Sequence, residues 1–170
     1  MYLILDPDLK VCGVLSLEGK GCKFYDDLRS TKIADDQGKI WSDTLQISVP
    51  YGYRETEYMT QGYHLLKQGG DGYFYLYRIY DWEDAAVGPV HVKRVQAMNR
   101  LAWDLTHKIV PARTFTNANS QQAFEYILQQ TGWEIGENDF FGGEKKLEFS
   151  AGNTAQYWLD QLTQQFGVEI

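Results

Sequence analysis

Eight consecutive residues, Tyr73 to Tyr80 (YFYLYRIY), constrain this chain more than any other stretch. Aromatic and β-branched side chains crowd a helix but pack well on a pleated surface, so the run predicts a strand. Gly69-Gly70-Asp71-Gly72 comes just before it and is a strong hairpin signal. A strand sends alternate side chains to opposite faces. Tyr73, Tyr75, Tyr77 and Ile79 then share one face, and Phe74, Leu76, Arg78 and Tyr80 the other. Both faces are apolar or amphipathic, which predicts a strand covered on both sides.

The first hundred residues continue in this manner. Tyr2 to Leu5 and Val11 to Leu17 are short apolar runs, and Gly19 and Gly21 turn the chain toward Cys22-Lys23-Phe24-Tyr25. Asp26-Asp27, Asp35-Asp36 and Gly38 read as turns or loops, and Ile40-Trp41 opens another extended piece. Leu45, Ile47 and Val49 alternate with Gln46 and Ser48 until Pro50, the pattern of a half-buried strand. Tyr63 to Leu66 is extended, Asp81 to Gly88 reads as a loop, and Val90 to Ala97 as a further strand. About seven short strands with glycine-rich turns predict an antiparallel sandwich or barrel.

The periodicity changes near Met98. Leu101, Ala102 and Leu105 predict a short helix, ended before Pro111. A second helix has Asn119 or Ser120 as cap, Ala123, Phe124, Ile127 and Leu128 on one face, and Gly132 at its C′ position. A third follows Asn153 or Thr154, with Trp158, Leu159, Leu162 and Phe166 on one face and Gly167 at its end. Gln129 to Ile135 (QQTGWEI) and Gln164 to Ile170 (QQFGVEI) form a weak repeat of helix, glycine and strand start. The chain stops on the second strand start, so it reads as the N-terminal piece of a longer protein.

Charge and motifs exclude several functions. Lys plus Arg number 16 against 23 Asp plus Glu, so a net charge of −7 disfavours nucleic acid and anionic membranes alike. No apolar run reaches membrane-spanning length, and the N-terminus has no basic region of a signal peptide. Cys12 and Cys22 flank Gly19-Lys20-Gly21 and could face each other across a hairpin; in a cytosolic product they stay reduced. With His64, His91 and His107 scattered, no metal-ligand spacing appears, and no cofactor or metal is expected. No nucleophile elbow, P-loop or dinucleotide fingerprint is present. Adjacent acids (Asp26-Asp27, Asp35-Asp36, Glu83-Asp84) point to opposite faces of a strand, a poor start for a catalytic pair. His91 reads as a surface or edge residue, His64 as half-buried, and His107 as a complement to a helix C-terminus.

The tyrosines support two readings. Rings of this kind line β cores, and they also gather where one end of a side chain is apolar and the other wet. Tyr51, Tyr53, Tyr73, Tyr75 and Tyr77 are the candidate partner-interface residues; no residue is assigned a catalytic role.

The order of features resembles a known family. LQISVP at Leu45 to Pro50 is followed by a Gly-Asp-Gly turn, the aromatic strand closing on Asp81-Trp82-Glu83-Asp84, and a strand running into Ala97 to Leu105 (AMNRLAWDL). Then comes Ala123 to Gly136 (AFEYILQQTGWEIG). This arrangement resembles the N-terminal region of the phage minor structural proteins, the tail-associated lysin or tail hub family. The resemblance implies an α+β fold: an antiparallel β-barrel-like, hub-like domain over residues 1–97, then the start of a small α/β domain over 98–170. It implies a homotrimeric ring at the virion tail tip, docked to the distal tail protein and the tail tube. It implies no membrane anchor, no specific nucleic-acid binding and no catalysis in this segment, any lytic activity lying further along. The rival expectations are a cell-wall hydrolase using the carboxylates and a carbohydrate-binding module using the tyrosines.

Overall fold

Leu45, Ile47 and Val49 all point into the core from β4 (Ser42–Pro50), as their alternation predicts. Burying one such side chain stabilises by about 1.5–3 kcal/mol. The computed structural model of the chain describes residues 1–19, 21–32, 42–136 and 143–167. Asp35, Asp36, Gly38, Ile40, Trp41 and the strand start at Val168 to Ile170 lie outside the described residues. The chain forms two compact units, one of Met1–Lys32 and Ser42–Arg100, the other holding the described residues from Leu101 on.

In the first unit β4 pairs antiparallel with β3 (Tyr25–Lys32) and β7 (Val90–Asn99). With β1 (Tyr2–Leu5), β2 (Val11–Leu15), β5 (His64–Gln68) and β6 (Phe74–Val87) they make a sheet ordered β2-β1-β5-β6-β7-β4-β3. Every ladder in it is antiparallel. Tyr2, Ile4, Leu15, Phe24, Ile47 and Ile79 share one core with Met59, which follows the short helix α1 (Glu55–Tyr58). The fold is therefore α+β and mostly antiparallel sheet. No ladder among the described residues joins β2 to β3, so the hydrogen-bonded order is open. The sheet nonetheless curls: the Tyr2 hydroxyl on β1 donates to Asp27 on β3 at 2.6 Å, and Lys67 on β5 lies 3.2 Å from the same carboxylate.

The glycine cluster makes the expected hairpin between β5 and β6, with Gly72 at φ 85°, a conformation in which a Cβ would be strained. β6 does not stop at Tyr80, however. The segment expected as a loop from Asp81 is strand as far as Val87, paired residue by residue with β7. Acids disfavour a strand only when they must face a core. A register shift between Ile79 and Asp81 leaves Tyr80 as the extra residue of a bulge. Beyond it Trp82 opposes Val95, and Asp81 and Glu83 stand opposite Gln96 and Arg94. The second face of β6 is not covered either: Leu76, Arg78 and Tyr80 are half-buried and Phe74 is exposed.

Asp26 and Asp27 also differ from expectation. They lie in β3, in a bulge between Tyr25 and Leu28 where Asp26 takes φ 51°. An edge strand with an exposed face tolerates them. Nor do the cysteines face each other across a hairpin, since Leu15 and Cys22 meet in a single parallel bridge. Both thiols are free, and burial pushes the Cys22 thiol up to about 11. Two units above the ordinary thiol leave about a hundredfold less thiolate, so iodoacetamide at pH 8 should label native Cys22 at least about a hundredfold slower than the unfolded chain. Equal rates in native and unfolded protein would refute its placement.

In the second unit α2 (Arg100–His107) ends with His107 stacked on Trp103 at 3.8 Å. α3 (Ser120–Gln129) starts at Asn119, whose side chain accepts from the Gln122 N–H at 2.9 Å while Gln122 accepts in return from Asn119 N–H. Its cap at the other end is Gln130, so Gly132 lies two residues further, at φ 78°. α4 (Ala155–Phe166) is capped by Thr154 and closed by Gly167 at φ 65°. Between these helices run two strands not expected from sequence, β8 (Arg113–Ala118) and β9 (Lys145–Phe149), paired antiparallel. Residues 133–136, read as a strand start in the repeat, are irregular. The core joins Phe124 and Ile127 of α3, Leu147 and Phe149 of β9, and Trp158, Leu159 and Leu162 of α4.

Candidate functional site

The tyrosine stripe of β6 does not form one surface. Tyr77 is 1% exposed, and its hydroxyl donates to Asp43 at 3.0 Å. Asp43 on β4 is fully buried and collects partners from three other strands. Arg29 of β3 donates through Nε at 2.8 Å and Nη2 at 2.9 Å, Thr31 of β3 through its hydroxyl at 3.3 Å, and Asn99 of β7 through Nδ2 at 3.3 Å. A carboxylate so fully used has no capacity left for a substrate. It fixes β3, β4, β6 and β7 to one another. Its hydrogen bonds raise the Arg29 pKa further, and burial, aided by Asp43, lifts the Tyr77 hydroxyl well above the usual phenol range. A clue to Asp43 is present in the sequence: it stands in phase with Leu45, Ile47 and Val49, an acid on the buried side of an alternating strand.

The other candidate tyrosines fall into two patches. Tyr73 is 73% exposed beside Phe74 at 66%, at the start of β6. Tyr75 is half-buried under the Arg29 guanidinium, 4.2 Å from its ring centroid, and donates to Asp71. That bond lowers the Asp71 carboxyl and raises the Tyr75 phenol. Tyr51 and Tyr53 are exposed and belong to the second patch. Tyr51 donates to Asp84 near the far end of β6, and this bond pushes its hydroxyl up to about 12. Trp82 lies there too, with Lys93 Nζ 4.1 Å from its ring centroid. At roughly 3.3 Å per residue the two patches are about 30 Å apart along the strand.

The acidic pairs have separate partners. Asp27 holds Tyr2 and Lys67, whereas Asp26 accepts from Ser48 at 3.4 Å and lies 3.9 Å from Arg94. Glu83 accepts from Arg94 at 3.1 Å, and Asp84 accepts from Tyr51. Of the histidines, His91 is exposed, as expected, but His64 is fully buried on β5. Among the described residues no group of His, Cys, Asp and Glu is arranged to hold a metal ion.

One concavity among the described residues was not anticipated by any motif. It is an open cleft of about 810 Å³ in the second unit, formed by one side of α3, the Gly132–Ile135 segment, and Arg113 and Phe115 of β8. Arg113 lies over two rings, 4.3 Å from the Phe115 centroid and 5.0 Å from that of Tyr126. Trp133 enters from the loop, its indole N–H donating to the buried Asp104 at 3.1 Å. Gln121 and Glu125 on α3 are joined by a hydrogen bond of 2.8 Å. The lining is mixed polar and aromatic, with the carboxylates of Glu125 and Glu134 in it.

No protein-family model matches the sequence. No curated protein matches it either. Solved structures do share its fold. A prophage tail protein, gp18, from Listeria monocytogenes EGD-e superposes on 99% of the chain with a TM-score of 0.62 at 14% identity. The 43 kDa tail protein of prophage MuSo2 from Shewanella oneidensis covers 75% with a TM-score of 0.57 at 19% identity. A tail protein from Neisseria meningitidis MC58 covers 96% with a TM-score of 0.54 at 13% identity. At such identities the likeness is one of fold. The chain spans less than half the length of each: 46%, 42% and 45% respectively.

Proposed function

We propose that this chain is a structural component of the tail tip of a long-tailed phage or prophage, the N-terminal part of a baseplate hub of the tail-associated lysin kind. The observation that carries this reading is the fold shared with the Listeria prophage tail protein over 99% of the chain. The resemblance of the segments around Leu45, Tyr73, Trp103 and Trp133 to the tail hub family points the same way. In this reading the protein works by assembly and carries no catalysis in this segment. Sister copies form a homotrimeric ring that docks to the distal tail protein and the tail tube. The outer edge of β3, which no ladder occupies among the described residues, fits such a role, because an unpaired strand edge is a template for another chain. Leu28 on β3 is exposed. The barrel-like form belongs to the proposal as well: the curl that brings β3 onto β1 is the start of a closed wall.

Antibodies to the chain test it. Probed against purified phage particles, they should give a virion-bound band on a blot and label at the tail tip by electron microscopy. Antigen found only free in the lysate, or label along the head, would overturn the reading.

A further inference from the structure

The cleft beside α3 has no part in the assembly reading, and its lining is chemically particular. Trp133 is held through its N–H by Asp104, which fixes the indole before any ligand arrives and leaves the rest of the ring to line the cleft. The Arg113 guanidinium is held over Phe115 and Tyr126. Glu125 and Gln121 lie on the helix side. The surface thus combines a donor fork, a carboxylate acceptor, an amide that does both, and an anchored aromatic ring.

We infer that this cleft binds a neutral saccharide. A sugar hydroxyl both donates and accepts, and vicinal hydroxyls match the paired atoms of a guanidinium, a carboxylate or an amide. The C–H face of a pyranose is apolar and packs on an indole. A volume of about 810 Å³ lies within the range of small-molecule sites. Other ligand classes fit worse. An anion meets Glu125 and Glu134 as well as Arg113. A wholly apolar ligand would strip the charged and amide groups of water without replacing it. An extended peptide would need the backbone edge of β8. Only Arg113 and Phe115 of that strand line the cleft, two residues apart and therefore on a face of the strand and not along its edge.

The test is a titration of the full chain, followed by ¹H–¹⁵N correlation spectra, with N,N′-diacetylchitobiose, cellobiose and maltotriose. The indole resonance of Trp133 is assigned by its loss in Trp133→Phe. At least one sugar should shift that resonance and the α3 amides saturably, with a dissociation constant of about 1 mM. The affinity should hold between about 0.05 and 0.5 M salt, since a neutral ligand gains nothing from screened charges. Glu125→Gln should weaken binding about tenfold, while Glu148→Gln, exposed on β9 outside the cleft, leaves it unchanged. No shift with any of the three sugars at about 20 mM, a concentration that would half-saturate even a very weak site, overturns the inference. So does saturable binding of inorganic phosphate in their place, or sugar binding that Glu125→Gln does not weaken. None of these outcomes bears on the tail-tip reading.

Discussion

Replacing Asp43 by alanine should lower the stability of the protein by about 2–4 kcal/mol, the largest effect expected of any polar substitution. Removing one partner of a buried ion pair costs about 3–5 kcal/mol when the other charge is stranded. Here Arg29 keeps 36% of its side chain in solvent and can rehydrate, so the lower range applies. The Tyr77 hydroxyl and Asn99 amide are buried and cannot. At about 2–4 °C per kcal/mol for a chain of this size, the melting temperature should fall by roughly 4–16 °C. Asp43→Asn keeps the shape, can accept only one of the two hydrogen bonds from Arg29, and should fall between wild type and alanine. Urea unfolding checks both; a loss under about 1 kcal/mol for Asp43→Ala would mean the network is not formed.

Phe149→Ala should be comparably severe, at about 3–5 kcal/mol. Phe149 is 2% exposed, and its ring meets Tyr126 at 5.2 Å, Trp158 at 4.8 Å and Phe115 at 5.9 Å between centroids. Those edge-to-face contacts add to the area term. The effect should appear as lost hydrogen-exchange protection in α3 and α4, which pack on that ring cluster. Protection unchanged within about 1 kcal/mol would place Phe149 outside the core of the second unit.

What the sequence disclosed follows from which signals are local. β4, the hairpin into β6 and the caps at Asn119 and Thr154 each rest on residues within one turn or one strand of each other, and all are where the residues place them. β8 and β9 were not legible because RTFTNA and KKLEF carry few buried positions, and their identity comes from pairing with each other across about thirty residues. The outer half of β6 was missed because three acids among four residues, Asp81 to Asp84, look like a loop unless the bulge is known. The candidate tyrosines divided for the same reason. Tyr73 and Tyr77 are chemically alike, and only the distant Asp43 determines that one is interior. Trp133 belongs to the Thr-Gly-Trp stretch that carries the family resemblance, yet its anchor Asp104 lies 29 positions away, so the cleft could not be read from either segment alone.

The bulge at Tyr80 also sets how this chain can change length over generations. Tyr80 is the supernumerary residue between the pairs Ile79–Ala97 and Asp81–Gln96. Losing it would join those two pairs into an unbroken ladder and leave every partner from Asp81 to Val87 in place. Losing a residue anywhere in Trp82 to Val87 would instead turn the faces of the residues beyond the cut, carrying side chains from one side of the sheet to the other. The outer half of the hairpin can therefore drift by insertion and deletion at one position with its reading frame of faces intact, and at its neighbours only in steps of two.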